Sequence, residues 1–315
     1  TQHVHVHWKK CQRQGVPLQA AIVIGASPNI SFVGVTKIPY GTEEYAVAGG
    51  IAGAPVALIK CKTVDIEVPA SAEIVIEGEL PTDYREREAP FGEFTGYMGA
   101  EEINPYFNVT CITHRRNPIY TAFISQFPPS ESSKIRQIGH EATYYKFLRH
   151  DCGIPVLDVA FHESSGSAAY CVIKLKKSAR TEAWRALNGA AAFSSSYPKY
   201  IIAVDEDIDA RDADSVNWAL SFRTQPHRDT RITMGQGYLL DPSTAPLDAP
   251  GEERVYPSPA GSSAILIDAT AKWDYPPVSL PAKEFMENSR KIWERLGLPA
   301  LKTKSPWYGY SLGYW

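Results

Sequence analysis

Two glutamates in the stretch EREAPFGEFTGY, residues 86–97, have the type and spacing for acid–base chemistry. Glu88 and Glu93 lie on either side of Pro90 and Gly92, and this pattern predicts a stiff loop because proline lacks a backbone donor and glycine is permissive. A carboxyl group that is desolvated beside aromatic rings has a raised pKa and can donate a proton near neutral pH. The pair therefore suits a proton donor with a tuned partner. From residue chemistry alone it also suits a glycosidase pair, or two solvated side chains at a turn.

A row of histidines at the start of the chain is a second candidate for ligand chemistry. The alternation in TQHVHVHW predicts a β-strand with His3, His5 and His7 on one face. Neutral imidazole is a common metal ligand, and Glu43 or Glu44 would supply a carboxylate for a mixed site. A polar strand face without any metal explains the same row.

A cluster of acidic residues between positions 205 and 214 has the chemistry of a Mg²⁺ site. The favoured interpretation is structural, with a strand that ends in a loop and with Asp214 or Ser215 capping the next helix. The stretch GGIAGAP, residues 49–55, lacks the glycine spacing of a dinucleotide-binding loop. Neither stretch is therefore taken as a functional site.

The elements that must position the glutamates are predicted to be mostly strands. Residues 1 to about 125 contain short runs rich in Val and Ile, separated by Gly, Pro and Asn. One helix is predicted at 43–53. Many short strands in succession favour a closed or split barrel. Besides residues 1–8, the predicted strands are 20–26, 31–36, 54–60, 65–69, 73–78 and 106–113.

The pattern changes after SQFPPSESS, residues 125–133, and a domain boundary is predicted near residue 130. A helix with serines at its start follows, and then strands and helices alternate in an α/β or α+β layer. The chain is thus predicted to be an α+β protein, with one domain at 1–130 and a second at 131–315. Predicted strands are 156–161, 169–175 and 199–204, and predicted helices are 179–189, 213–223 and 281–297.

Composition and charge exclude several classes of protein. The chain has 315 residues, of which 44% are hydrophobic and 21% charged, as in globular proteins with one or two domains. A net charge of −3 gives no bulk attraction for nucleic acid, and no apolar run reaches the roughly 18 residues of a membrane helix. Five scattered cysteines without a CxxC motif favour reduced thiols and a cytoplasmic setting. Because the chain begins at Thr1, the start of a longer protein is expected to be absent.

Four stretches together resemble one family. EREAPFGEFTGY resembles a signature of the UbiD-type decarboxylases, which use a prenylated FMN cofactor. The stretches TQHVHVHW with GVPLQAAIVIGASP, residues 38–80, and residues 199–230 resemble other segments of that family in the same order. The resemblance runs over nearly the whole chain.

The resemblance implies a fold and an activity. The family has an N-terminal domain, a split β-barrel related to flavin reductases and a C-terminal α/β domain that dimerises, and this chain resembles the last two. It implies reversible decarboxylation of an aromatic, phenolic acid of the protocatechuate or gallate type, in a homodimer or higher homo-oligomer. A flavin prenyltransferase would supply the cofactor. An acrylic or cinnamic acid decarboxylase of the same family is the alternative, and a metal-dependent hydrolase or a non-catalytic flavin-binding module remain open.

The resemblance also assigns cofactor and metal ligands. Gln2 and His3 would contact the prenylated FMN. His3 and Glu44 would hold Mn²⁺, with Glu43 as the substitute for Glu44, and K⁺ is a further expected ion. The asparagine that completes the metal site in the family belongs upstream of Thr1.

The same resemblance assigns the catalytic residues. Glu93 would be the proton donor, and Glu88 would orient an arginine that bridges both glutamates and belongs upstream of the chain. Phe94, Ser133 and His140 are the expected substrate contacts. No residue of this sequence is expected to replace the bridging arginine.

Overall fold

The computed structural model describes residues 3–36, 38, 40–99, 101–194, 198–234, 240–244, 263–276 and 278–300. Gln2, which was predicted to contact the cofactor, lies outside these residues. The chain divides into two compact units, 1–139 and 140–315. The division falls within a helix that begins at residue 131, and the domain boundary near residue 130 stays a prediction.

Among the described residues of the first unit, seven strands form the β-structure. They are β1 (Leu18–Ile24), β2 (Leu58–Lys60), β3 (Glu67–Pro69), β4 (Ile74–Leu80), β5 (Glu86–Glu88), β6 (Glu102–Asn104) and β7 (Asn108–His114). An antiparallel sheet has β4 between β1 and β7, while β2 pairs with β3 and β5 with β6. The strands predicted at β1, β2, β3, β4 and β7 are confirmed, and β5 and β6 were not predicted. No closed barrel is seen among the described strands.

Helix α1 (His3–Gln14) begins at the third residue, so the strand predicted for TQHVHVHW is wrong over residues 3–8. Lys, Gln and Arg at positions 9–14 favour a helix, and no glycine or proline interrupts it before Gly15. Trp8 is 3% exposed, and its indole Nε1 donates to the carbonyl of Pro81 at 3.1 Å. The buried indole therefore anchors a helix whose sequence has the alternation typical of a strand.

A second predicted strand, 31–36, is also helical. Helix α2 (Pro28–Val35) begins at a proline, which suits the first turn because its missing N–H needs no partner there. The helix predicted at 43–53 is confirmed as α3 (Glu44–Ala52). The side-chain amide of Asn29 donates to the carbonyl of Ala48 at 2.9 Å and links the two helices. Packing of α2 on α3 thus overrides the strand preference of its Val and Phe residues.

Glu77 on the central strand β4 is a buried carboxylate that fastens the β2–β3 connection. It is 1% exposed, and it accepts hydrogen bonds from the amides of Lys62 and Thr63 at 2.7–2.9 Å and from the Thr63 hydroxyl at 2.9 Å. Burial alone would raise its pKa, but these donors and the Val64 amide stabilise the charged form more and lower the pKa below its usual range. The charged carboxylate therefore contributes to stability.

Replacing Glu77 by glutamine is expected to lower the free energy of unfolding of the first unit by about 2 kcal/mol at neutral pH, because one of the two acceptor oxygens becomes an NH₂ donor that faces the backbone amides. A lowered folded-state pKa gives stability that is present above the unfolded-state pKa of about 4.3 and is lost as pH falls through the folded-state pKa. Urea unfolding at several pH values should show the difference shrink in acid. Glu79→Gln on the same strand is the control, and a difference that does not change with pH would contradict the assignment.

The second unit contains a five-stranded mixed sheet. Its strands are β8 (Val156–Phe161), β9 (Tyr170–Leu175), β10 (Tyr200–Asp205), β11 (Thr230–Met234) and β12 (Ser263–Asp268). Their spatial order is β11-β12-β10-β9-β8, with β9, β10 and β12 parallel and the two edge strands antiparallel to their neighbours. The strands predicted at β8, β9 and β10 are confirmed.

Helices cover both faces of this sheet. Its helices are α5 (Thr181–Phe193), α6 (Ala213–Arg223), α7 (Pro226–Asp229) and α8 (Lys283–Arg295). Ile201 and Ala203 of β10 belong to the core that contains α5, whereas Ile202 and Val204 belong to the core that contains α6. Burial on both faces explains why the strand is apolar without alternation. Within the described ranges, no helix has the length and apolar character to cross a lipid bilayer.

The first and the last described helices after residue 130 were both predicted from the sequence. The helix that spans the division is α4 (Glu131–Lys146), and Ser130 Oγ accepts from the amide of Ser133 at 3.3 Å in the manner of an N-cap. Helix α8 is confirmed, and none of its residues is buried. Its side chains Phe285, Ile292 and Trp293 are 63%, 40% and 37% exposed. Among the residues that the structure describes, none buries this apolar face of α8.

The acidic cluster at 205–214 is structural. Asp212 caps α6 by accepting from the amide of Ser215 at 2.8 Å, so the predicted caps, Asp214 and Ser215, were wrong by a few residues. Arg223 pairs with Asp205 and Asp207 at 3.1 and 2.6 Å. Asp205, Asp207 and Asp212 therefore have structural partners within the second unit.

Candidate active site

The stretch that contains both glutamates is a β-hairpin with a tight turn at its tip. Glu88 ends β5, and the backbone at Gly92 pairs with that at Met98. The Glu93 amide donates to the Tyr97 carbonyl, and the Gly96 amide donates to the Glu93 carbonyl, both at 2.9 Å. Gly96 has φ +93°, which glycine adopts without strain. The loop predicted for residues 86–97 is thus confirmed at 89–97 and corrected at 86–88, which form β5.

Glu93 lies at a partly buried position within this turn. Desolvation raises its pKa above the usual range, and the charge of Glu88 adds to this effect, while the amide of Phe94 and the charge of Arg136 oppose it. The neighbouring Phe94 is 6% exposed. A carboxyl group in this setting keeps its proton to a higher pH than an ordinary glutamate, as a general acid requires.

Glu88 is exposed and has a hydrogen-bond partner that the sequence analysis missed. The side-chain amide of Asn104 donates to Glu88 Oε2 at 2.6 Å. Asn104 ends β6, and Glu88 pairs directly with Glu102, so the hydrogen bond runs diagonally across the two strands. This contact depends on the pairing of β5 with β6, and the sequence did not predict these two strands.

Arg136 is the second group that the sequence analysis missed. It lies in the second turn of α4, with its guanidinium carbon 3.9 Å from the centroid of the Phe94 ring. Its positive charge acts to lower the pKa of Glu93, against the larger effect of desolvation. Because 43 residues separate the two positions along the chain, no local motif could have joined them.

The predicted metal ligands His3 and Glu44 lie together. His3 Nδ1 is 3.5 Å from Glu44 Oε1, and the His3 ring is edge-on to Tyr40 with 5.3 Å between centroids. Glu43 instead accepts from the amide of Tyr45 and caps α3. His5 stacks near Trp8, so the expectation that three histidines share one strand face is wrong.

An imidazole nitrogen and a carboxylate oxygen are suitable ligands for Mn²⁺. Two ligands at right angles and about 2.1 Å from one ion are about 3 Å apart, close to the separation of His3 and Glu44. These two residues thus fit a shared cation. Within the part of the chain that the structure describes, no group of three His, Cys, Asp or Glu side chains forms a complete metal site.

If His3 and Glu44 hold Mn²⁺ as predicted, replacing His3 by alanine is expected to lower retention of the ion about tenfold, because one of the two predicted ligands is lost. The measurement is metal content by mass spectrometry after dialysis of the cofactor-loaded protein. His5→Ala, which removes a neighbouring imidazole that faces Trp8, is the matched control. Equal loss of metal in both variants would indicate that His3 is not a ligand.

The remaining predicted contacts lie in different surroundings. Ser133 is fully buried, and its hydroxyl is 2.9 Å from that of Ser130. His140 belongs to the second unit, where its Nδ1 is 2.9 Å from the carbonyl of Ser167 and its ring lies beside Phe161. Phe94 adjoins Glu93 in the sequence, and its backbone amide donates a hydrogen bond to the Glu93 carboxyl group.

Comparisons with known proteins match both parts of the chain. Residues 1–128 match the family described as 3-octaprenyl-4-hydroxybenzoate carboxy-lyase Rift-related domain, and residues 134–269 match the C-terminal domain of the same carboxy-lyase. The chain is 36% identical over 231 residues to an uncharacterized protein of Synechocystis sp., covering 72% of this chain and 45% of that protein. It spans about half the length of the curated relatives that it matches.

Two solved enzymes are similar in structure. The UbiD-class enzyme HmfF from Pelotomaculum thermopropionicum in complex with FMN is 32% identical, with a TM-score of 0.77 and coverage of 90% of this chain and 61% of that chain. An evolved dimeric form of HmfF, in complex with prFMN, has a TM-score of 0.74. The apo 3,4-dihydroxybenzoic acid decarboxylase of Klebsiella pneumoniae is 26% identical, with a TM-score of 0.73 and coverage of 91% and 62%.

Proposed function

Because the chain belongs to the UbiD family of carboxy-lyases, we propose that it forms part of an enzyme that reversibly decarboxylates an aromatic, phenolic acid with prenylated FMN. The observation that carries this proposal is the Glu93 turn, where a carboxyl group with a raised pKa adjoins a buried ring. A solved relative binds prFMN, and another acts on 3,4-dihydroxybenzoic acid, which supports this choice of cofactor and substrate class.

The proposed reaction breaks the bond between the ring carbon and the carboxylate. CO₂ leaves, and its bonding electron pair stays with the carbon. Bound prenylated FMN would supply the electron sink for that pair. Glu93 then donates its proton to the same carbon and becomes a carboxylate. The raised pKa of Glu93 suits this step, because the group must be protonated when CO₂ leaves.

Glu88 has a supporting role in this proposal. Its carboxylate is held by Asn104 at 2.6 Å and acts electrostatically on Glu93. In the family it orients an arginine that bridges the two glutamates. Such a bridge would hold the Glu93 carboxyl group in place for proton transfer.

The cofactor phosphate and its metal are proposed to lie at the other end of the first unit. Gln2 and His3 would contact the cofactor, and His3 and Glu44 would hold Mn²⁺, with K⁺ as an additional ion. We also propose that the sheets of residues 1–130 form part of a split β-barrel. Its paired strands would then surround the flavin.

The uncovered apolar face of α8 supports a homo-oligomer as the working form. Phe285, Ile292 and Trp293 are exposed in the single chain, and a second copy is the proposed cover. Residues 131–315 would then act as the dimerisation domain. A flavin prenyltransferase would supply the cofactor, and a cytoplasmic setting is proposed from the five free cysteines.

The test is to produce the chain with its native flanking sequence alongside a flavin prenyltransferase, to record the absorption spectrum, and to measure CO₂ release. A modified-flavin spectrum with CO₂ release from phenolic acids is the expected result. Release from cinnamic acids alone would favour the acrylic-acid alternative. A flavin spectrum without CO₂ release from any acid would leave a non-catalytic module, and turnover without flavin that chelation abolishes would indicate a hydrolase.

A further inference from the structure

We infer that Arg136 binds the carboxylate of the substrate acid and holds it beside Glu93. This inference rests on the proposed function, and it names a substrate-binding residue within this chain. The tip of the hairpin packs against another segment of the first unit. A Cβ added at Gly92 would lie 2.9 Å from the side chain of Gln126, and one added at Gly96 would lie 2.7 Å from that of Phe127. The Glu93 turn therefore packs directly against residues 126–127.

The same segment leads into α4 and fixes the start of that helix. Ser132 donates to the hydroxyl of Ser125 at 2.8 Å, and the amide of Ile124 donates to Glu131 at 3.1 Å. Ser130 caps the first turn. These hydrogen bonds hold the helix start against the segment that contacts the hairpin. Arg136, one turn further on, is thereby carried on a rigid element.

The guanidinium of Arg136 is also held by its contact with Phe94. Its carbon is 3.9 Å from the ring centroid, and the ring is itself buried. Stacking on a fixed aromatic ring reduces the freedom that a long side chain loses when it binds a ligand. A planar guanidinium can then offer two parallel N–H donors to the two oxygens of a carboxylate.

Proton delivery defines where the substrate carboxylate must lie. Glu93 protonates the carbon from which CO₂ leaves, so its carboxyl group must come within hydrogen-bond reach of that carbon. The departing carboxylate is attached to this same carbon. A cation whose field reaches Glu93 therefore also reaches the substrate carboxylate, and Arg136 is such a cation.

This placement also couples departure of CO₂ to proton transfer. While the substrate carboxylate is bound, it neutralises Arg136, and Glu93 keeps its proton beside Glu88. When the C–C bond breaks, the negative charge leaves the guanidinium and the electron pair passes to the carbon. The positive charge of the guanidinium then favours ionisation of Glu93, whose proton forms the new C–H bond. Charge and atoms balance, because the Glu93 carboxylate replaces the substrate carboxylate.

Binding measurements test this inference without requiring turnover. The probes are benzoate, 3,4-dihydroxybenzoate and cinnamate, each with its matched carboxamide, and the readout is calorimetric affinity for the cofactor-loaded protein. The wild type is expected to prefer the acid to the amide in at least one pair. Arg136→Gln should weaken binding of that acid roughly 10- to 100-fold and leave amide binding unchanged. Arg136→Lys should restore part of the loss.

The control is Lys146→Gln, which removes a positive charge from the same helix at an exposed site paired with Asp151. It should leave acid binding within twofold of the wild type, and melting curves should show that every variant is folded. The inference is overturned if the wild type shows no preference for any acid. It is equally overturned if Arg136→Gln keeps the preference. Acid binding that depends on Arg136 without CO₂ release would refute the proposed function alone.

Discussion

Glu93→Gln is expected to lower the rate of CO₂ release about 10²- to 10⁴-fold while the cofactor spectrum stays unchanged, because the side chain keeps its shape but loses its proton. The measurement is CO₂ release from the acid that the wild type prefers, with the cofactor content of both proteins determined from their spectra. Glutamine retains an amide that can fill the turn. The loss would therefore report on proton donation rather than on folding of the hairpin.

The pH dependence of the wild type gives an independent check on this role. The folded-state pKa of Glu93 is raised, so its protonated form persists above the usual glutamate range and is lost as pH rises through that pKa. The rate in the decarboxylation direction should therefore fall on the alkaline side. Glu102→Gln, on the strand opposite Glu88, is the matched control, because it removes a carboxylate without touching the donor. Full turnover by Glu93→Gln would refute the assignment.

The second large effect is expected on stability, at the buried cation of the second unit. Arg223→Met should lower the free energy of unfolding by about 3–5 kcal/mol, since it removes the guanidinium that pairs with the Asp207 carboxylate, while Asp205 keeps its contact with Lys177. Arg223 is 7% exposed and donates to Asp207 through both terminal nitrogens at 2.6 and 2.8 Å. Desolvation acts to lower the pKa of Arg223, but the hydrogen bonds with Asp207 outweigh it and raise that pKa, so the residue stays charged.

A neighbouring exposed ion pair provides the matched control for this measurement. Lys176 lies 3.5 Å from Glu206, and both side chains are more than half exposed. Lys176→Met should therefore change the free energy of unfolding by less than about 0.5 kcal/mol. Arg223→Lys should fall between the two, because lysine keeps the charge without the paired donors. Equal effects of Arg223→Met and Lys176→Met in urea unfolding would contradict the role given to Arg223.

The sequence predicted most elements of the second unit because their signals are local. The apolar run in β10, the serine cap of α4 and the amphipathic pattern of α8 each lie within about 15 residues. In the first unit, the alternation in HVHVHW and the β-branched residues of SFVGVT predicted strands. Burial of Trp8 against Pro81 and packing of α2 on α3 decided otherwise. Such contacts join residues that are distant in the sequence, so no local pattern contains them.

The residues of the candidate site also differ in whether a local sequence pattern could predict them. Glu88, Glu93, His3 and Glu44 were found from residue types and a family resemblance, and the structure brings His3 close to Glu44. Asn104 and Arg136 lay outside every motif. The pairing of β5 with β6 brings Asn104 to Glu88, and the position of α4 brings Arg136 to Phe94. The chemistry of single residues was therefore predictable. The partners that tune them were not.

Strand β10 inserts consecutive side chains into two separate cores, with Ile201 in one and Ile202 in the other. A change of volume at one of these positions needs compensation only on its own side of the sheet. The side chains of the two helical layers can therefore change independently during evolution, although both layers pack on the same strand. Substitutions that covary with Ile201 should fall in α5, and those that covary with Ile202 should fall in α6.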